Sequence, residues 1–416
     1  MIFIYYLMVW VLPLVNHPIW GAYVGPLSVF QYMGLFCVIG AVVRIASRGR
    51  VPSYFGIWPL RLLYLFYFLA LVAAIRRPSS IPVFDESLLI YTSGLLIILI
   101  TLTLVDNLER LRWTILALIG SYAWACLYMI REWMGNRGMR PGWIVGDSNF
   151  FATSAIFSMV LAFYFMRSEG PRWQKLYCYA CLMIMLLGTT LCASRGGFLG
   201  LCVAAPILAW ETKNRVRSFV VLVGLLLAFS VLMPISPLQR ILHPTYSETG
   251  SEDAHQAAWK AGFRMIQSHP LGGIGTGLFK PYMPAYSDPG EKVVSLAHNM
   301  FIEVAAEMGI PALIVFVLFL ASCFFGLGRI RKLPTTPAMI KGAAGAMRAG
   351  VLGFSVAGCF VSEEYQKTMW MGLAIVPCLL LLSASYAREA QRSEENVESV
   401  GANLQPAVIS AKMQSS

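Results

Sequence analysis

Charge is scarce in this chain of 416 residues. Only 13% of them are Asp, Glu, Lys or Arg, and 57% are hydrophobic, whereas a soluble domain carries about 25% charged residues. That excludes a soluble globular enzyme. The one long polar stretch, from Ser236 to Leu296, has no cysteine, which excludes a disulfide framework there. All nine cysteines lie in or beside apolar runs and read as packing or lipid-facing thiols. Cys178 and Cys181 have redox or metal spacing but no histidine partner. There is no H-E-x-x-H, no G-x-S-x-G and no cluster of His with carboxylates, so neither metal nor cofactor is expected. The first residues, Met1-Ile2-Phe3-Ile4, lack a basic leader and a small-residue cleavage site, and are read as a retained helix.

What is abundant is apolar sequence, with a mean hydropathy of +0.65. Runs approaching or reaching the length that spans a bilayer as a helix recur at Ile2–Val15, Leu27–Ala46, Pro59–Ala74, Ser87–Leu104, Trp113–Ile130, Ser148–Met166 and Trp173–Ala193. They continue at Gly196–Trp210, Val216–Met233, Ile310–Gly328, Ala343–Phe360 and Thr368–Tyr386. The expected fold is an all-α integral membrane protein with about twelve transmembrane helices. It forms one membrane domain over residues 1–386, with no internal repeat. A large helical loop (about 234–297) separates the ninth and tenth spans, and a polar, disordered tail covers 387–416.

Basic residues set the orientation. With the N-terminus in the cytoplasm, 20 of the 32 Lys and Arg fall in cytoplasmic loops and tail, 7 in short outer loops and 5 in the long loop. Both termini are therefore expected in the cytoplasm and the long loop outside. The net charge of +11 reflects topology and anionic lipid, not nucleic acid.

Two helices are expected inside the loop. The first has Ser251 as N-cap and Pro270 as terminator, with Trp259, Gly262, Phe263 and Ile266 as its apolar stripe. The second carries Leu296-Ala297-His298 in its first turn and runs to Met308-Gly309. The Gly-rich run and Pro281–Tyr286 between them read as turns and an extended crossing.

Arginine at a membrane boundary is costly unless paired or facing a polar cavity, and its planar fork suits phosphate oxygens. Arg195 in a tight outer turn, Arg137 and Arg140 before Gly146-Asp147-Ser148-Asn149, and Arg264 in the loop together suggest an anionic head group such as a diphosphate. Arg195 is equally well a snorkelling side chain. His298 is the best candidate base, because a helix start disfavours the imidazolium, although a lone histidine there is more often structural. His269 before Pro270 reads as a turn residue. Glu303 and Glu307, one turn apart, read as a solvated helix face. Gly275-Thr276-Gly277 follows no strand and is a poor phosphate loop.

Ser194-Arg195-Gly196-Gly197, Arg264 followed by His269-Pro270-Leu271-Gly272-Gly273-Ile274-Gly275, and Ala297-His298-Asn299 with Glu303 and Glu307-Met308-Gly309 resemble the O-antigen ligase and polysaccharide polymerase superfamily. Gly146-Asp147-Ser148-Asn149 resembles an earlier element of that family. The match in order and spacing runs from about residue 110 to 330. The resemblance implies a metal-independent inverting glycosyltransferase of the bacterial inner membrane, facing the periplasm. Its donor would be a glycan on undecaprenyl diphosphate, and its acceptor a hydroxyl of lipid A-core, a growing glycan or a protein. By position, His298 would be the base, and Arg195 and Arg264 would hold the diphosphate. A ligase is favoured over a polymerase or a protein O-oligosaccharyltransferase. A lipid or sugar transporter is the alternative of another class.

Overall fold

The computed structural model describes residues 1–14, 16–48, 54–78, 80, 85–136, 139–212, 214–232, 246–291 and 293–413. Among the described residues the protein is all-α apart from one two-stranded hairpin, β1 (Tyr23–Val24) with β2 (Leu27–Ser28). The first nine helices are α1 (Ile2–Val11), α2 (Val29–Arg48), α3 (Trp58–Ile75), α4 (Glu86–Leu104), α5 (Leu108–Gly135), α6 (Ser148–Arg167), α7 (Arg172–Leu191), α8 (Arg195–Trp210) and α9 (Arg215–Leu232). Then come α10 (Tyr246–Ser268), α11 (Phe279–Tyr286), α12 (Met300–Met308), α13 (Ile310–Ile330), α14 (Ala338–Ala357) and α15 (Lys367–Met413).

Among the described residues, nine helices are long and apolar enough to cross a membrane: α2 to α7 and α13 to α15. Ile2–Val11 and Arg195–Trp210 are apolar but shorter, and α9 lies on the expected span Val216–Met233, whose last residue is outside the described set. The outward faces are greasy, as on α2, where Leu35, Phe36, Ile39, Val42 and Val43 are all exposed. Side chains of this kind suit lipid rather than water. The final helix continues to Met413, through the stretch from Ala387 that composition reads as a disordered tail.

Side-chain caps start the helices that matter for the site. Asp85 accepts from Leu88 N–H, Asp147 from Asn149 and Phe150, Ser194 from Gly197, and Asn299 from Phe301 and Ile302. Each satisfies amides that a helix start leaves orphaned. Helices α8 and α14 touch backbone to backbone at Gly200 and Gly353, where a Cβ on either would lie 2.5 Å from the other's carbonyl oxygen. Small residues permit that approach, as in other membrane helix pairs. It brings the start of α8 beside the end of α14, and the Gly196 Cα sits against Phe360.

Helices α10, α11 and α12 form a cap with its own apolar core of Ala258, Ala261, Met265, Phe279, Met283, Ala297, Ile302 and Ala306. This differs from the expected loop in three ways. The buried stripe of α10 is Ala258, Ala261, Gly262 and Met265, while Phe263 is exposed, because small residues let α10 lie close to α12. The helix begins at Tyr246, before the proposed cap Ser251, and ends ahead of Pro270 as expected. Residues 279–286 form a helix and not an extended crossing, since Phe279 and Met283, one turn apart, both reach the cap core.

Candidate active site

His298 lies one residue before the N-cap Asn299, not in the first helical turn. Its backbone is left-handed at φ 48°, and the only other non-glycine residue with positive φ among the described ones is Ala193, also at 48°. Each such residue costs about 1–3 kcal/mol, so it persists only where surrounding contacts enforce it. The enforcing bonds around His298 are visible. Ala297 donates its N–H to Glu303 (3.1 Å) and accepts from Trp259 Nε1 (2.9 Å), and Met300 donates its N–H to Val361 O (3.1 Å). The His255 ring from α10 stacks on His298 at 4.8 Å between centroids, 22° from parallel.

The imidazole is half-buried, and desolvation lowers its pKa, with the Asp147 charge pulling the other way. Burial, rather than the helix dipole invoked from sequence, is what disfavours the imidazolium here. Asp147 caps α6 through Oδ1. It belongs to the Gly146–Asn149 element, whose Asn149 accepts from Arg140 (3.0 Å).

Arg140 also donates twice to Cys192 O, at 2.9 and 2.6 Å. It therefore braces the turn Cys192-Ala193-Ser194 that presents Arg195 as the first residue of α8. The strained Ala193 and the strained His298 flank one region, where the starts of α6, α8 and α12 meet the end of α14. Arg137 lies outside the described residues.

Arg264 is placed differently. Nine residues beyond His255 on α10, it stands about 13 Å along the helix and half a turn round from it, at 1.5 Å and 100° per residue. It donates to Tyr286 O (2.8 Å) and pairs with Asp288 across exposed surface, and that pairing lowers the Asp288 pKa. His269 contacts the Tyr286 hydroxyl only at 3.5 Å, while the carbonyl of the adjacent Pro270 accepts from Ile310 N–H at 2.8 Å. That segment is a turn, as expected.

Glu303 and Glu307 correct the sequence reading, for both are fully buried. Glu307 accepts from Gly277 N–H and Phe279 N–H, each at 2.9 Å, and from the Tyr365 hydroxyl. Glu303 accepts from Ala297 N–H and the Ser362 hydroxyl. These bonds tie the cap to the segment 361–366 that precedes α15. Burial raises both carboxyl pKa values, and the Glu307 charge raises Glu303 further. Glu363 and Glu364, also buried and with raised pKa values from desolvation, lie on the same segment.

The Gly-rich run is likewise occupied with structure. Ile274 and Gly275 donate their N–H groups to Ala306 O and Glu307 O at 2.9 Å, closing the end of α12. Gly273, at φ +63°, lies where a Cβ would be 2.2 Å from the Glu307 backbone. Fully buried Arg77, at the end of α3, donates to Thr276 O (3.0 Å) and pairs with Asp85. The amides of Gly273, Ile274, Gly275 and Gly277 are thus already used within the fold.

Sequence reasoning passed over His255, Asp147 as a charge, and the 361–366 segment. A signal existed for the first: four of the five histidines fall between His243 and His298, a concentration unusual beside an apolar bundle. Nothing in local spacing announces Ser362 or Tyr365. Among the described residues, no group of three or more His, Cys, Asp or Glu is arranged to hold a metal.

No curated protein matches the chain. Residues 180–317, which hold Arg195, the cap with His255 and Arg264, and His298, match the family model described as O-antigen ligase. That match agrees with the resemblance drawn from those motifs, over one stretch of a multi-pass helical membrane protein.

Proposed function

We propose that the protein transfers a glycan from an undecaprenyl-diphosphate donor to an acceptor hydroxyl, with inversion and without a metal, as an O-antigen ligase-type enzyme. The acceptor oxygen attacks the anomeric carbon while His298 takes its proton. The bond from that carbon to the diphosphate oxygen breaks, and the lipid diphosphate leaves with the electron pair. Arg195, with Arg140 on the neighbouring turn, and Arg137 stabilise the negative charge gathering on the leaving group. Arg264 attracts the donor from the cap. Asp147 stabilises the imidazolium that forms.

The observation that carries this reading is the convergence of a half-buried His298, held in a left-handed backbone, with Asp147 and the arginine-bearing turn. Twelve crossings, cytoplasmic termini and a periplasmic cap in the inner membrane complete the proposal, on the basic-residue bias.

The test is a proteoliposome assay with lipid-diphosphate glycan and lipid A-core, scored for covalently glycosylated product. His298→Ala should lower transfer by about 10²–10⁴-fold, the usual contribution of a general base, with donor binding intact. A chelator should leave the wild-type rate unchanged. Full activity of the variant would overturn the assignment, and movement of donor across the bilayer without product would favour a transporter.

A further inference from the structure

A second large concavity opens on the same side of the bundle, outside the His298 site. It is a groove of about 1260 Å³ between the segment after α1, the β hairpin, the start of α4, the Trp143 turn and the start of α15. Small-molecule pockets run to about 300–1,000 Å³, so an extended ligand fits it better than a metabolite.

Its walls are preformed. His17 Nδ1 accepts from Ile19 N–H (3.1 Å) and Trp20 N–H (3.4 Å), which leaves the proton on Nε2 to donate to Tyr128 (3.1 Å). That bonding fixes the turn bearing Trp20. Asn16 donates to Trp143 O (2.5 Å) and, through its N–H, to Ile144 O (3.1 Å), which fixes the turn bearing the second indole. Gln31 is held by Ser28 N–H (2.7 Å), and Gln366 stands on the facing wall.

The groove's chemistry discriminates between ligands. Indole and phenyl faces beside planar amides suit pyranose rings, which present C–H faces and a rim of hydroxyls. A diphosphate suits it poorly: among the described lining residues Lys367, over the Phe30 ring at 5.6 Å, is the only Lys or Arg, and Glu86 lies there too. Its back wall leads to the candidate active site. Tyr365 lines the groove and bonds Glu307, on the same segment whose Val361 holds the Met300 amide next to Asn299.

We propose that this groove binds the saccharide head of the acceptor, a glycan-bearing membrane lipid, and guides its hydroxyl toward His298. The proposal rests on the transferase reading above and adds a site for the second substrate, separate from the arginines that serve the donor.

The test measures binding, not transfer, so that the two readings fail separately. Full-length protein in nanodiscs is titrated with lipid A carrying core sugars, lipid A without them, phosphatidylglycerol and an unglycosylated Ser/Thr-rich peptide. The core-bearing lipid should bind best. Trp20→Ala, Gln31→Ala and Gln366→Ala should each weaken it by about fivefold, the scale of one net hydrogen bond, while lipid-diphosphate donor binding is unchanged. Gln31 and Gln366 are partly exposed, so their loss tests the site even if Trp20→Ala misfolds. Equal affinity in the two glutamine variants, equal binding of core-free lipid A or phosphatidylglycerol, or preference for the peptide would each overturn the groove assignment. If His298→Ala still transfers fully while the groove binds as expected, the catalytic reading falls and the groove stands.

Discussion

At its inner edge the cap meets the bundle through Glu303 and Glu307, both fully buried and bonded to amides and hydroxyls. At its outer edge Arg264 and Asp288 pair with side chains 43% and 53% exposed. Both edges carry charge-bearing residues on the same small helical unit, yet the physics differs. Buried acceptors with several donors fix position, because each broken bond strands a group that water cannot reach. An exposed ion pair is screened and contributes little. His298 and His255 belong to the first edge, Arg264 to the second.

The largest expected effect comes from breaking the inner edge itself. Glu307→Ala strands the Phe279 N–H and the Tyr365 O–H, at about 1–3 kcal/mol for each buried group, and leaves the Gly277 N–H only its bond to the Tyr365 oxygen (3.0 Å). We expect a several-degree fall in the melting temperature in detergent and loss of transfer. Glu307→Gln, which keeps an acceptor oxygen, should recover much of the stability. Equal stability of wild type and Glu307→Ala would remove the distinction between the edges.

Next in size is the contrast between the two arginines. Arg195 sits in the strained turn beside the His298 region, so Arg195→Ala should lower donor kcat/KM by about 10–100-fold, the range for a charge-assisted hydrogen bond of about 1.5–3 kcal/mol. Arg264→Ala should stay within about threefold, as for an exposed pair. Equal losses would show that the cap moves Arg264 inward when substrate binds.

The pH profile probes the inner edge more gently. The working form of His298 is neutral, and burial lowers its pKa from the ordinary value, near 6.5. Transfer should therefore hold as pH falls to about 6.5 and decline only below that. Asp147→Asn removes the charge that favours the imidazolium, so the decline should move to still lower pH. A decline already centred above pH 7 would contradict a buried base.

The difference between the edges also marks what could be read without coordinates. Apolar runs announced the bundle, since a span must bury every backbone polar group within one helix, and the Gly-rich and His-Asn motifs placed the loop and His298. The roles of Glu303 and Glu307 were misread because helical spacing shows that two carboxylates share a face and not what covers it. Their partners, Ser362 and Tyr365, are 59 and 58 residues away. His298 was placed in the helix for a related reason: Leu296-Ala297 looks helical locally, whereas the long-range bonds to Trp259 and Val361, with the bond to Glu303, hold the chain left-handed there. His255 reaches its partner across the cap core, a distance that local pattern does not cover.

The smallest expected effect is the most discriminating for the outer edge. Asp288→Asn removes the anion facing Arg264 without changing the size of the side chain. If Arg264 collects the donor diphosphate, freeing its guanidinium should improve donor KM by about twofold, a change of under 1 kcal/mol in keeping with an exposed pair, and added salt should erase the gain by screening it. If Arg264 only braces residues 286–288, donor kinetics should not move, because its bond to Tyr286 O persists and still holds the turn. A weakened donor KM would mean that the pair is itself the receptive form, with Asp288 orienting the fork. In that case the exposed edge would position as well as the buried one.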